Sequence, residues 1–163
     1  GRVIATASSP QKRELALELG ADVAIDSQAQ DMTAAIREAN GGKRVDVILD
    51  MTGGRITDES VNALAPFGRL GFYGQASREA PKPIAPTNLL VHSTTIAGMW
   101  LPHAFRLPGN VVGQAMSELF ELAIDDQLRV VAGGEYALAD ARLAHEALRS
   151  RGTTGKLVLN PQL

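Results

Sequence analysis

Apolar positions along this 163-residue chain fall into short β-type runs separated by longer stretches with helical spacing. Arg2–Ala7 (RVIATA) predicts a strand. Ser9 suits a helix cap, Pro10 the first helical position and Gly20 the stop, with Leu15 and Leu19 one turn apart on one face. Asp22–Ile25 predicts a second short strand, and Ser27 or Asp31 opens a helix through Ala39 that Asn40-Gly41-Gly42 ends. Val45–Leu49 (VDVIL) is nearly all apolar, the pattern of a strand buried on both faces of a parallel sheet. A helix over Thr57–Ala65 is predicted next, stopped by Pro66 and Gly68, followed by a strand over Leu70–Tyr73. The Pro-rich stretch 80–86 predicts a surface excursion over the strand ends, Thr87–Val91 a helical turn and Thr94–Gly98 a strand. Val111–Ile124 predicts a helix, Val130-Val131 and Tyr136 short extended pieces, Asp140–Arg149 a helix and Lys156–Leu159 a last strand. Strands and helices alternating at this spacing predict an α/β fold with a parallel, doubly wound sheet.

Composition narrows the function classes. A formal charge of −2 argues against nucleic-acid or membrane-surface partners, which favour dense positive charge. There is no cysteine, so disulfides, thiolate zinc sites and cysteine catalysis are excluded within this chain. No apolar run approaches the roughly 18 residues of a membrane span, and no signal-peptide pattern is present. The expectation is a soluble, cytoplasmic domain without an internal linker or repeat.

In an open parallel sheet, ligands bind beyond the carboxyl ends of the strands. The residues there are Ala7-Ser8-Ser9, Asp50-Met51-Thr52-Gly53-Gly54, Gly74-Gln75 and Met99-Trp100. They are rich in small and hydroxyl side chains, which admit a bulky ligand and bond it without fixed charge. Four such endings in one sheet point to a nucleotide crevice. Other motifs fail. The glycines of GRLGFYG, 68–74, run through a strand and match strand packing better than a phosphate turn. GTTGK, 152–156, would need glycine at position 150 and Ser or Thr at 157 to be a phosphate loop, and Ser150 and Leu157 stand there. Lys156 remains a candidate phosphate or carbonyl contact. His92, His103 and His145 show no metal-ligand spacing, and no Gly-x-Ser-x-Gly elbow is present. The only tryptophan, Trp100, suits a hydrophobic plug or interface as well as a cofactor contact.

The segments ATASSPQKRELALELGA, VDVILDMTGG, APFGRLGFYG, TTIAGMWL and GTTGKLVLNP, in this order, resemble the medium-chain dehydrogenase/reductase superfamily. The similarity is to its zinc-independent branch of NADPH:quinone oxidoreductases and 2-enoyl thioester reductases, and it covers essentially the whole chain. The resemblance implies one partial NAD(P)-binding Rossmann domain over residues 1–163, lacking its first strand and glycine-rich loop. It also implies that a GroES-like catalytic domain lies outside the chain. The absent strand would be central, between Val3–Ala7 and Val45–Leu49, so an interrupted sheet is expected there.

The resemblance further implies residue roles. NAD-using members typically carry an acid where Ala7 stands. Ala7, Ser8 and Ser9, with Lys12 as the preferred partner of a 2′-phosphate over Arg13, imply NADPH. Met51, Thr52 and Gly53 would line the adenosine and ribose side, Tyr73, Gly74 and Gln75 the nicotinamide ribose, and Met99 and Trp100 the nicotinamide. The implied activity is hydride transfer to a quinone or another α,β-unsaturated carbonyl. No convincing catalytic acid or base and no metal ligand set stands in the chain itself. A homodimer through the edge strand at Thr94–Gly98 is implied as well. Two alternatives remain at this stage: the cofactor domain of a zinc-type alcohol dehydrogenase, and a non-catalytic binding or dimerisation module. A methyltransferase-like Rossmann enzyme lacks support, since nothing supplies its acid after a glycine-rich first strand.

Overall fold

The computed structural model describes residues 1–163, which divide into two compact units, Gly1–Gly109 and Asn110–Leu163. In the first unit β1 (Ile4–Ala7), α1 (Pro10–Glu18), β2 (Val23–Asp26), α2 (Met32–Ala39), β3 (Val45–Asp50), α3 (Arg55–Ala63), β4 (Leu64–Phe72), α4 (Pro86–His92), β5 (Thr95–Gly98) and the short α5 (Leu101–Ala104) follow in order. The second unit holds α6 (Val111–Ile124), β6 (Ala132–Ala137), a 3-10 turn at Leu138–Asp140, α7 (Ala141–Arg149) and β7 (Lys156–Asn160), with β6 and β7 paired in parallel.

Local chemistry accounts for the helix starts. The Ser9 hydroxyl accepts the Lys12 amide at 3.3 Å and Pro10 occupies the first turn of α1, while Gly20 takes φ +103° just past its end. Asp31, not Ser27, caps α2, accepting the Ala34 amide at 2.8 Å.

The first unit contains two parallel sheets, β1-β2 and β3-β4-β5. β1 and β3 each have one bonded neighbour, so the strands of this unit form two separate sheets. What holds the two sheets in one unit is the α2–α3 pair. Met32, Ile36 and Ala63 form its buried core, and Ile25 of β2, Val45 of β3 and Ile56 pack against it. Glu59 of α3 clasps the pair. Its Oε2 accepts the Met32 amide at 2.6 Å, and its carbonyl accepts the Thr33 hydroxyl at 2.8 Å. Its Oε1 accepts Arg55 Nη1 at 2.8 Å, and Arg55 also donates to the carbonyls of Ser27 and Ala29. Glu59→Ala is expected to destabilise the chain by about 1–3 kcal/mol, the cost of stripping the Met32 amide and Arg55 of their carboxylate acceptor while Thr33 keeps the backbone carbonyl. Glu59→Gln, which keeps an acceptor for Met32, should cost less. Urea unfolding midpoints of the two variants check the order.

Three expectations are corrected. The helix before β4 ends at Ala63, and the chain already pairs with β3 at Leu64. Pro66, Phe67 and Gly68 then bulge out, with Phe67 at φ +64°, and pairing resumes at Arg69 opposite Val47. Proline has no amide to give a ladder, so it is tolerated in the strand at a bulge rather than ending a helix. The second correction concerns the apolar run of β3. It is not buried on both faces: Val47 is 55% and Leu49 73% exposed, because no element of the first unit covers that side of the strand. The extended pieces at Val130-Val131 and Tyr136 become one strand, β6, shifted to Ala132–Ala137.

Candidate functional site

The strand register brings the carboxyl ends into line. Asp50, Phe72 and Gly98 lie side by side across β3, β4 and β5. The ladder continues one step beyond: the Tyr73 amide donates to the Asp50 carbonyl at 3.0 Å and the Met99 amide to the Phe72 carbonyl at 2.9 Å. Met51, Tyr73, Met99 and Trp100 therefore gather at one mouth, and each is exposed there, from 43% for Tyr73 to 66% for Trp100. A gathering of apolar side chains at aligned strand ends suits a ligand crevice.

Two turns form the wall of this mouth. The Ala76 amide donates to the Met51 carbonyl and the Ser77 amide to the Thr52 carbonyl, both at 2.9 Å, so the turn after β4 lies against the turn after β3. Glycine is required at the contact. A Cβ on Gly53, which has φ +81°, would lie 2.9 Å from Gln75 Cγ, and one on Gly74 would lie 2.9 Å from the Met51 carbonyl oxygen.

Beneath the wall sits Asp50, only 3% exposed. Its Oδ1 accepts the amides of Thr52 at 2.7 Å and Gly53 at 3.4 Å, and its Oδ2 accepts the hydroxyl of Thr57, itself 2% exposed on α3. The carboxylate is thus turned inward onto the Met51–Gly54 turn and the start of α3. Helix α3 has no side-chain cap of its own at Gly54, so this clamp is what orders its approach. The sequence reading noted Asp50 at the strand end without giving it a role. The available signal was a lone acid closing an apolar strand.

Ala7, Ser8, Ser9 and Lys12 form a second group at the end of β1 and the start of α1. No acidic residue stands in the first turn of α1. Ala7 pairs with Asp26, the last residue of β2, and the Ser27 amide donates to the Ala7 carbonyl at 3.1 Å. Arg13 reaches back across this end, donating to the Ala7 carbonyl at 3.1 Å and meeting Asp26 Oδ2 at 3.3 Å. Arg55 braces the two groups, since it stands at the start of α3 and bonds the carbonyls of Ser27 and Ala29 after β2. Lys156 is the first residue of β7, in the other unit.

Elsewhere, a cavity of 480 Å³ is lined by Arg44, Asp58, Asn62, Leu64, Lys82 and His92. It lies toward the amino ends of β3 and β4, opposite the mouth, and collects none of the site residues. The three histidines are exposed, and His92 Nδ1 bonds the Asn88 carbonyl. No group of three or more His, Asp or Glu side chains converges as a metal site. No helix is long and apolar enough to cross a membrane.

The family model described as zinc-binding dehydrogenase matches residues 1–121. A quinone oxidoreductase of Salmonella typhimurium is 32% identical over 98% of this chain and 49% of its own length, and a 2-haloacrylate reductase of Burkholderia is 31% identical over 98% and 48%. Among solved structures, a mycobacterial protein complexed with NADPH is 34% identical, with a TM-score of 0.83 over 98% of this chain and 50% of that one. The chain spans about half the length of the relatives it matches.

Proposed function

Because this chain belongs to the zinc-binding dehydrogenase family, within the medium-chain dehydrogenase/reductase superfamily, we propose that it is the NADPH-binding portion of a reductase acting on quinones or other α,β-unsaturated carbonyls. The observation that carries the reading is the aligned mouth of β3–β5, where small turns stand beside exposed Met51, Tyr73, Met99 and Trp100. The likeness to an NADPH complex, and relatives that reduce quinones and a haloacrylate, support the choice of cofactor and substrate class.

The residues fit a dinucleotide. Gly53 and Gly74 let the turns after β3 and β4 close on each other, and the one buried carboxylate, Asp50, turns its oxygens inward onto the Thr52 and Gly53 amides and the Thr57 hydroxyl. Ser8, Ser9 and Lys12 would hold the 2′-phosphate end, Met51, Thr52 and Gly53 the ribose side, and Tyr73, Gly74 and Gln75 the second ribose. Met99 and Trp100 would press on the nicotinamide. When bound, the cofactor supplies a hydride for an electrophilic carbon. The chain's own part is to orient the dinucleotide and to keep water from its reactive face with the apolar side chains of the mouth. Groups that polarise the substrate belong to parts of the enzyme outside this chain. The free edge of β5 is the proposed homodimer contact, and the cytoplasm the proposed compartment.

Fluorescence titration of the chain with NADPH and NADH tests the reading. Saturable binding of NADPH at micromolar concentrations, at least tenfold tighter than NADH, is expected. Equal affinity for the two, or none for either, would overturn the assignment.

A further inference from the structure

We infer that the Arg13–Asp26 pair, not the Ser-rich turn alone, sets the discrimination between a 2′-phosphate and a 2′-hydroxyl at the end of β1; this rests on the NADPH reading given above. Ala7 is where an acid would select a ribose diol, and its side chain is a methyl group. Yet an acid is present one strand away. Asp26 is the in-register partner of Ala7, and neighbouring strands stand about 4.8 Å apart. Its carboxylate is half-exposed at the same end of the sheet. Left alone, it would act on an incoming phosphate much as an acid at Ala7 would.

Arg13 prevents this. Its guanidinium lies 3.3 Å from Asp26 Oδ2 and is anchored by the Ala7 carbonyl at 3.1 Å. The arginine side chain is only 22% exposed, so it is held in place rather than swinging in solvent. The other Asp26 oxygen accepts the Gln28 amide at 2.9 Å, which fixes the carboxylate in turn. Lys12, Arg13 and Asp26 sum to +1, and Arg55, which bonds the Ser27 carbonyl beside them, is offset by its ion pair with Glu59 at 2.8 Å. Removing Arg13 brings the sum to zero with the acid unopposed. Removing Asp26 raises it to +2. A dianionic 2′-phosphate feels each step; a neutral ribose hydroxyl does not. Arg13 is therefore a specificity-determining residue through its neighbour, a role distinct from the direct phosphate contact assigned to Lys12.

The probes are adenosine 2′,5′-bisphosphate and adenosine 5′-monophosphate, which differ only in the 2′-phosphate and need only this end of the crevice. Calorimetric titrations compare the chain with its Arg13→Met, Arg13→Lys, Asp26→Asn and Arg13→Met/Asp26→Asn variants. The readout is the ratio of the two affinities. Arg13→Met is expected to lower the ratio about fivefold to tenfold at low salt, and Arg13→Lys to hold it near the parent value. Asp26→Asn should raise it, and the double variant should recover most of what Arg13→Met loses. Asn at position 26 keeps an acceptor for Gln28, so this arm stands even where Arg13→Met fails to fold. An Arg13 that merely supports the turn would lower both affinities together and leave the ratio unchanged. That result, or an Asp26→Asn ratio equal to the parent's, overturns the inference alone. A parent chain that binds both probes equally, or neither, overturns the NADPH reading and this inference with it.

Discussion

Asp50→Ala is expected to destabilise the chain by about 2–4 kcal/mol, the largest loss from any single polar residue in the first unit. The reason is burial. Asp50 is 3% exposed and its oxygens accept two backbone amides and the Thr57 hydroxyl. A buried donor stripped of its acceptor loses about 1–3 kcal/mol, and removing one side of a buried charged network costs more than never having built it. Thr57→Val removes one donor and leaves the carboxylate its two amides, so about 1–2 kcal/mol is expected. The two changes touch the same bond, so the double variant should fall short of their sum. Urea unfolding of the three variants reads these values. An Asp50→Ala midpoint within error of the parent would show that the clamp carries no stability. The clamp also matters beyond stability, because it fixes the Met51–Gly54 turn from which Met51 and Thr52 are presented to the crevice.

Much of the architecture was readable from local pattern. Ser9, Pro10 and Gly20 mark the ends of α1 with side-chain and backbone chemistry that acts within a few residues, and the Val111–Ile124 helix has the bounds its apolar spacing predicts. Features decided by pairing were not readable in this way. Pro66 and Gly68 look like a helix stop, but the β3 ladder claims Leu64 first and makes them a bulge. Gly133 and Gly134 weaken β6 as a sequence, and its pairing with β7 imposes the strand. The apolar run of β3 states a preference for burial on both faces, while actual burial depends on what packs there. The residues after β3, β4 and β5 could be grouped from the sequence because strand ends recur in order, and the register does set those ends side by side. The side chains that organise them were not legible. Asp50 meets Thr57 across a turn, and Arg13 meets Asp26 only because Ala7 and Asp26 share a register position. Sequence spacing alone carries no signal for either meeting.

The crevice wall supplies the second large effect. Gly74→Val is expected to weaken NADPH binding by at least about 30-fold while costing only about 1–3 kcal/mol in stability. A Cβ at position 74 would stand 2.9 Å from the Met51 carbonyl oxygen and 3.2 Å from Met51 Cα. Both are backbone atoms of a turn whose carbonyl already holds the Ala76 amide, so neither can yield as a side-chain tip would. Relief must come from separating the two turns, which breaks the bonds from Ala76 to Met51 and from Ser77 to Thr52 and displaces Tyr73, Gln75 and Thr52 together. The α2–α3 core lies elsewhere in the unit and keeps its packing, so the binding loss should exceed the folding loss. Gly71→Ala is the control from the same strand. Its Cβ would meet Leu49 Cδ2 at 3.4 Å, an ordinary contact with an exposed, movable side chain. That variant should stay within about 1 kcal/mol of the parent and keep its NADPH affinity. The comparison separates a crowded strand from a displaced wall. If Gly74→Val binds NADPH as the parent does, the turns after β3 and β4 do not line the cofactor.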